Sequence, residues 1–191
     1  MSGLLRAYNS ALIRRPYATG MCSAAVLFGA GDVLAQQGIE KKGMNHDIMR
    51  TVRLSAYGGL VFAPLITRVY GGIDRIRFSS KFATTAARVA VDQFLLTPCV
   101  LTIFFTCQSL LELKGFSEAK RRMETSFFPT LTTNWSVWIP VQAINFSIVP
   151  VHLRLLSVNV VSLFWNAYLS YANAKSASPE PEIKQAMGEV A

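Results

Sequence analysis

From Asn134 to Asn173 the chain reads NWSVWIPVQAINFSIVPVHLRLLSVNVVSLFWNAYLSYAN, too apolar for the surface of a soluble domain, yet with polar residues at helical spacing. Trp135, Trp138, Gln142 and Asn145 fall on one stripe of an α-helix. Pro150 breaks that helix, and beyond it Asn159, Ser162, Asn166, Ser170 and Asn173 recur at steps of three and four. Each of the two helices keeps a polar seam inside an apolar coat. That inverts the soluble pattern and suits a membrane bundle, where lipid-facing surfaces must be apolar and polar groups find partners inward.

Composition agrees. Hydrophobic residues make up 51% and charged residues 16%, against about 25% charged in ordinary soluble domains. The 191 residues predict an all-α integral membrane bundle of about four spans, with an interfacial amphipathic helix and a Pro-broken C-terminal region. The predicted organisation is an N-terminal amphipathic segment over 1–15, a membrane domain over 16–175 and a disordered tail over 176–191. The net charge of +8 points to lipid headgroups and anionic solutes rather than nucleic acid, because the basic residues sit at the ends of apolar segments.

Taken in order, Met1 to Arg15 carries Arg6, Arg14 and Arg15, and no acid precedes Asp32. In composition this resembles a mitochondrial presequence, and it also reads as an uncleaved interfacial helix. The first span runs from Pro16, placed for a first helical turn, to Gln36, one turn beyond Asp32. An acid at that depth must face the bundle or water. Gly31 and Ala35 provide a small-residue spacing for close helix approach. In the second span, Arg50 to Tyr70, an uninterrupted α-period puts Arg53, Tyr57, Pro64 and Arg68 on one face. The two arginines there either snorkel to headgroups or form cationic rings at the mouths of a polar path. In the third, Thr84 to Leu113, the same period aligns Arg88, Asp92, Cys99, Thr102, Thr106 and Ser109, pairs Arg88 with Asp92, and makes Pro98 a kink. Gly115 to Phe128, with Lys120, Arg121 and Arg122, reads as the interfacial helix, ended by Pro129.

Signatures of catalysis are missing. His46 and His152 are isolated, Cys22, Cys99 and Cys107 have no metal or redox spacing, and there is no phosphate loop or nucleophile elbow. No enzyme activity, metal or cofactor is expected.

Trp135, Trp138, Pro140, Gln142, Asn145, Phe146, Val149, Pro150 and Arg154, followed by WNAYLS from Trp165, resemble the signature of the twenty-two-kilodalton peroxisomal membrane protein family. Further matches are Tyr8, Pro16, Thr19, Gly31-Asp32, Ala35-Gln36, Arg50, Arg53, Asp92-Gln93 and Pro98. Ile139 is a departure, since the family more often has Trp and Pro adjacent. The resemblance covers residues 4–173 and looks closest to fungal members of the mitochondrial inner membrane. It implies a small, usually four-helix membrane protein proposed to form a weakly selective pore, with links to stress response and, indirectly, mitochondrial DNA maintenance. The peroxisomal membrane is the alternative location.

Two readings follow. In the first, polar stripes line a channel for small anionic metabolites: Arg53, Arg68, Arg88 and Arg154 favour anions, Asp32 and Asp92 shape the field, and Gln36, Gln142, Asn145, Asn159 and Asn166 line the wall. In the second, the same stripes are dry hydrogen-bonded seams of a non-conducting scaffold that acts through protein partners. The expected partners are the bilayer, small metabolites and further copies of the chain.

Overall fold

The structure, a computed structural model, describes residues 3–73, 75–147 and 151–177, which are almost wholly helical and contain no β-strand. Helix α1 (Gly3–Arg14) breaks at Arg15, and α2 (Pro16–Leu34) starts with the proline in its first turn and continues through a π turn to Ile39. Asp47 caps α3 (Ile48–Ala56), its side chain accepting the Arg50 N–H at 2.9 Å. A π turn over Tyr57–Phe62 joins α3 to α4 (Ala63–Ile73), and another over Asp92–Leu96 joins α5 (Lys81–Val91) to α6 (Thr97–Leu111). Two long helices complete the chain, α7 (Gly115–Ser147) and α8 (Val151–Ala177).

Among the described residues, five long helices, α2, α3–α4, α5–α6, α7 and α8, run up and down the bundle. Thr51 meets Asp32, and Thr67 lies near Gly20, so α2 and α3–α4 are antiparallel. Gln93 meets Asn134, and Glu112 meets Arg122, so α5–α6 and α7 are antiparallel as well. Arg122 meets Asn173, and Thr133 meets Tyr168, which makes α7 and α8 a hairpin. With an odd number of helices the last lies parallel to the first, and α8 closes the ring against α2. That closure needs Gly31: a Cβ there would stand 2.6 Å from the Asn166 Cβ.

The segment over 115–128 is therefore not a separate interfacial helix. Ala119, Arg122, Thr130, Leu131 and Asn134 are buried along one face that runs through Pro129. Burial of that stripe against α6 and α8 outweighs the hydrogen bond the proline forfeits. Pro140 likewise lies within α7. Residues 148–150, including Pro150, and 178–191, most of the expected tail, lie outside the described residues. At 33 residues, α7 is about 50 Å long, more than a ~30 Å hydrocarbon slab requires.

The outer surface carries Val26, Leu60, Phe94, Leu95, Ile144 and Phe164, while Asp32, Gln36, Gln93, Gln108, Asn134, Asn166 and Ser170 are buried. Two helical stretches, Pro16–Ile39 and Lys81–Leu111, are long and apolar enough to cross a membrane. Aromatic packing fills the middle: Phe28, Tyr57 and Phe104 meet edge to face at 5.2 to 5.5 Å between centroids.

The π turns before Pro64 and Pro98 shift the helical faces. The Tyr57–Phe62 turn takes Arg68 off the Arg53 and Tyr57 face, leaving it exposed. After Asp92–Leu96, Cys99 and Thr102 are exposed and Leu101, Phe104, Phe105 and Gln108 turn inward, so the six-residue stripe expected there does not form. In π register the Thr97 N–H reaches the Asp92 carbonyl. The next donor would be Pro98, which has no N–H, so the Gln93 carbonyl is left over and accepts from Trp135 Nε1 at 2.9 Å.

Trp135→Phe, which keeps the ring and deletes this donor, should destabilise the detergent-solubilised protein by about 1–3 kcal/mol. In a Pro98→Ala background, which restores a backbone N–H, the cost should shrink in thermal or denaturant unfolding. An equal cost in both backgrounds would show that the two residues are uncoupled.

Candidate functional site

Two cavities lie along the ring, separated by one to two helical turns. At the end formed by the C-termini of α2, α6 and α8, a polar vestibule of about 630 Å³ opens among Glu40, Asp47, Arg50, Arg53, Glu112 and Asn173. Lys42, Lys114, Lys175 and Tyr171 complete its wall. Within the ring, an inner cavity of about 350 Å³ is mostly apolar and draws polar groups from three helices, Asp92 and Gln93 of α5–α6, Asn134 and Gln142 of α7, and Ser162 and Asn166 of α8. Tyr8 of α1, in contact with Ser23 of α2 at 3.2 Å between hydroxyl oxygens, lies at its far end.

Phe28, Tyr57, Phe104 and Leu169 form the inner cavity's floor, all nearly inaccessible. One turn beyond Phe28 is Asp32, one turn beyond Leu169 is Asn173, and one turn before Tyr57 is Arg53. The floor and the vestibule are thus only about 6 to 12 Å apart at 1.5 Å per residue. Asp32 fills that interval with a wholly buried carboxylate. Its Oδ1 accepts from Arg50 Nε at 2.8 Å and from Ser170 Oγ, and its Oδ2 accepts from Gln36 Nε2 at 2.8 Å and from Thr51 Oγ1. Arg50 turns its other edge to Glu40, donating at 2.6 and 2.9 Å, and also donates to Ser170 Oγ at 2.8 Å. Gln36 Oε1 accepts the Asp47 N–H at 2.7 Å and so holds the turn after α2 to the start of α3.

A second ionic cluster braces the vestibule. Arg122, fully buried, donates to both oxygens of Glu112, to Glu118 Oε1 at 2.9 Å and to Asn173 Oδ1 at 2.9 Å. This corrects the expectation that the whole 120–122 run faces headgroups. Lys120 is exposed as expected, Arg121 forks onto Glu118 at 2.8 and 2.9 Å, and continuous α7 turns Arg122 inward. The Arg121 guanidinium holds Glu118 down to about 2, with Arg122 adding to it. Burial favours the neutral forms of Glu112 and Glu40, but Arg122 with Lys114, and Arg50 with Lys42, outweigh it and hold both below the usual carboxylate range.

Of the residues expected to line a path, Asp32 and Gln36 belong to the buried ionic cluster between the cavities, here termed the latch, Arg53 lines the vestibule, and Asp92, Gln142 and Asn166 line the inner wall, beside the motif residues Trp138 and Trp165. Arg68 lines neither cavity, and Arg88 donates to the Ile76 carbonyl at 3.2 Å. Pro140 is exposed on α7. The side chains of Asn145, Phe146, Arg154 and Asn159 lie outside the described residues. Sequence reasoning missed Glu40, Thr51 and Glu112 as partners, and placed Arg50 only as the entry to a span. An acid at each edge of the loops flanking α3 and α7 is the signal that could have found the first and last.

A profile of the Mpv17 / PMP22 family matches residues 109–170. The chain is 42% identical over 182 residues to Protein SYM1 of Kluyveromyces lactis, covering 93% of each chain. The chain belongs to the Mpv17/PMP22 family. Its likeness to Protein SYM1 of Mycosarcoma maydis is 44% over 168 residues, 86% of this chain and 84% of that one. To Protein SYM1 of Saccharomyces cerevisiae it is 42% identical over 179 residues, covering 90% and 91%. No solved structure matches the chain. The Mpv17/PMP22 profile spans α7 and α8 as far as Ser170, which supply Arg122, Asn134, Trp138, Asn166 and Ser170 to the axis.

Asp32→Ala leaves Arg50 buried without its inner partner and should cost about 3–5 kcal/mol in thermal unfolding; Ser170→Ala should cost about 1 kcal/mol. Acid should act at the vestibule. A depressed carboxylate stabilises the fold while ionised, so its contribution is complete above the unfolded value near 4.5 and is lost as pH falls toward about 2 for Glu118. Stability in detergent should therefore decline over that window, and Glu118→Gln should flatten the decline.

Proposed function

We propose that this Mpv17/PMP22 protein is a multi-pass pore for small, preferentially anionic solutes, in an occluded conformation. The observation that carries this reading is the alignment of two cavities on one axis, divided by one aromatic layer and one ionic latch. All five long helices would cross the bilayer. The stretches α3–α4, α7 and α8 hold too many inward polar and charged groups for hydropathy to single them out, and their outward Leu60, Ile144 and Phe164 suit lipid. The charged first turns of α7 would stand in the interface.

The scaffold reading makes the same groups dry seams. Against it stand Tyr57 Oη, Gln108 Nε2 and Ser109 Oγ, buried at or just beyond the aromatic layer with no hydrogen-bond partner among the described residues. A seam built only to hold helices together gains nothing from three unpaired polar atoms, each costing about 1–3 kcal/mol. A path that opens to water would use them. The Arg-bearing, acid-free stretch before Asp32 supports placement in the mitochondrial inner membrane, where solute supply would serve stress response and, indirectly, DNA upkeep.

Purified protein in planar bilayers should conduct with anion preference, and Arg53→Glu should weaken or reverse that preference. Tyr57→Phe removes the unpaired hydroxyl and its desolvation cost, so the folded protein should gain about 1–3 kcal/mol in unfolding while conductance falls. Folded wild type and variants that are all silent would sink the pore.

A further inference from the structure

The vestibule's charges do not cancel, and the surplus has a definite place. Five cations, Lys42, Arg50, Arg53, Lys114 and Lys175, face three carboxylates, Glu40, Asp47 and Glu112, an excess of two. The carboxylates are already engaged. Glu40 takes the fork of Arg50 and Lys42 at 3.1 Å, and Glu112 takes the fork of Arg122 and Lys114 at 3.1 Å. Asp47 spends one oxygen on the α3 N-terminus and holds Arg53 only at 3.8 Å with the other. Among the described residues, the excess therefore rests on Arg53, whose Nε is buried without a hydrogen-bond partner and whose guanidinium meets Asp47 only at 3.8 Å, and on Lys175, which has no carboxylate partner. Both lysines bound to glutamates keep unused N–H donors as well.

We propose that the vestibule is a binding site for a phosphate-type dianion, with Arg53 and Lys175 as its principal contacts and Lys42 and Lys114 flanking. The excess of two charges matches a phosphate monoester rather than a halide. A guanidinium and several ammonium groups on different walls suit an anion whose oxygens point several ways. At about 630 Å³ the cavity has room for a phosphate and an organic group, within the usual range for ligand sites. Tyr171 and Ala174 supply an apolar part of the wall. Two sources share this chemistry. A soluble phosphate ester can enter from water, and a phospholipid headgroup can enter from the side where Leu111, Leu113 and Phe116 are exposed next to Lys114. Binding holds whether or not the axis conducts.

The test uses the full chain in neutral detergent, with glycerol 3-phosphate as the probe and sodium chloride at matched ionic strength as the control. Glycerol 3-phosphate should raise Tm saturably beyond the chloride control. Arg53→Gln and Lys175→Gln should each raise the midpoint about tenfold, the loss of one charge-assisted hydrogen-bonding group. Lys175 is exposed near the end of α8, so its variant tests the site even if Arg53→Gln fails to fold. Lys120→Gln, basic but outside the vestibule, should leave the midpoint unchanged. Nanodiscs then separate the sources. Suppression of the shift by phosphatidic acid, relative to phosphatidylcholine alone, identifies a headgroup as the occupant; its persistence identifies the soluble ester. A Tm that follows chloride alone, or a Lys120→Gln effect as large as that of Lys175→Gln, would overturn the site. No conductance enters the readout, so a silent but phosphate-binding protein removes only the pore, and a conducting protein without binding removes only the site.

Discussion

The Asp32 carboxylate is the constraint from which the rest of the architecture follows. Wholly buried beside Arg50, it is tolerable in an apolar bundle only with donors on every lone pair. Those donors come from its own helix through Gln36, from α3 through Arg50 and Thr51, and from α8 through Ser170. One side chain thus fixes the register of three helices and closes the ring between the first and the last. Arg50 extends the same demand outward, because its guanidinium needs a second carboxylate and finds Glu40. The order of the axis, from vestibule through latch and aromatic layer to inner cavity, follows from where this charge must sit.

The backbone adjusts to the prolines in a related way. Pro64 and Pro98 each follow a π turn, which shifts the hydrogen-bond register just where an α-helix would lose a bond. The carbonyl left over at Gln93 is met from another helix by the Trp135 indole, so a local defect becomes a tertiary contact. Glycine solves the opposite problem. A Cβ on Gly58 would lie 2.6 Å from the Phe28 ring and 2.9 Å from the Ala24 carbonyl, so α2 and the π turn approach closely only because it is absent. The aromatic floor depends on that approach.

Much of this could be read from the chain. The apolar coat around polar stripes pointed to a helical membrane bundle, Pro16 marked a helix start, and Asp32 with Gln36 one turn on implied an inward network. In α8, Asn166, Ser170 and Asn173 are buried together along the stripe their spacing set out. Elsewhere the same reasoning went astray for a specific physical cause. A period of 3.6 carried past a π turn is out by about one residue on the far side, which is how Thr102 came to be placed on an inward stripe and Arg68 on the face of Arg53. Pro129 was read as a stop because propensity is local, whereas the stripe from Ala119 to Asn134 gains its stability from α6 and α8.

The sequence alone determined the class of fold and the solvent it suits, since the periodicity of polar residues within apolar segments is a property of each helix taken singly. It also determined that charge must be hidden in the interior. Only the tertiary structure decided which charge meets which. Arg50 and Ser170 are brought together across 120 residues, and Arg122 and Asn173 across 51. Such choices depend on helix order, on register set by π turns, and on close approaches allowed by single glycines. None of these has a period along the chain, because each arises where two helices pack.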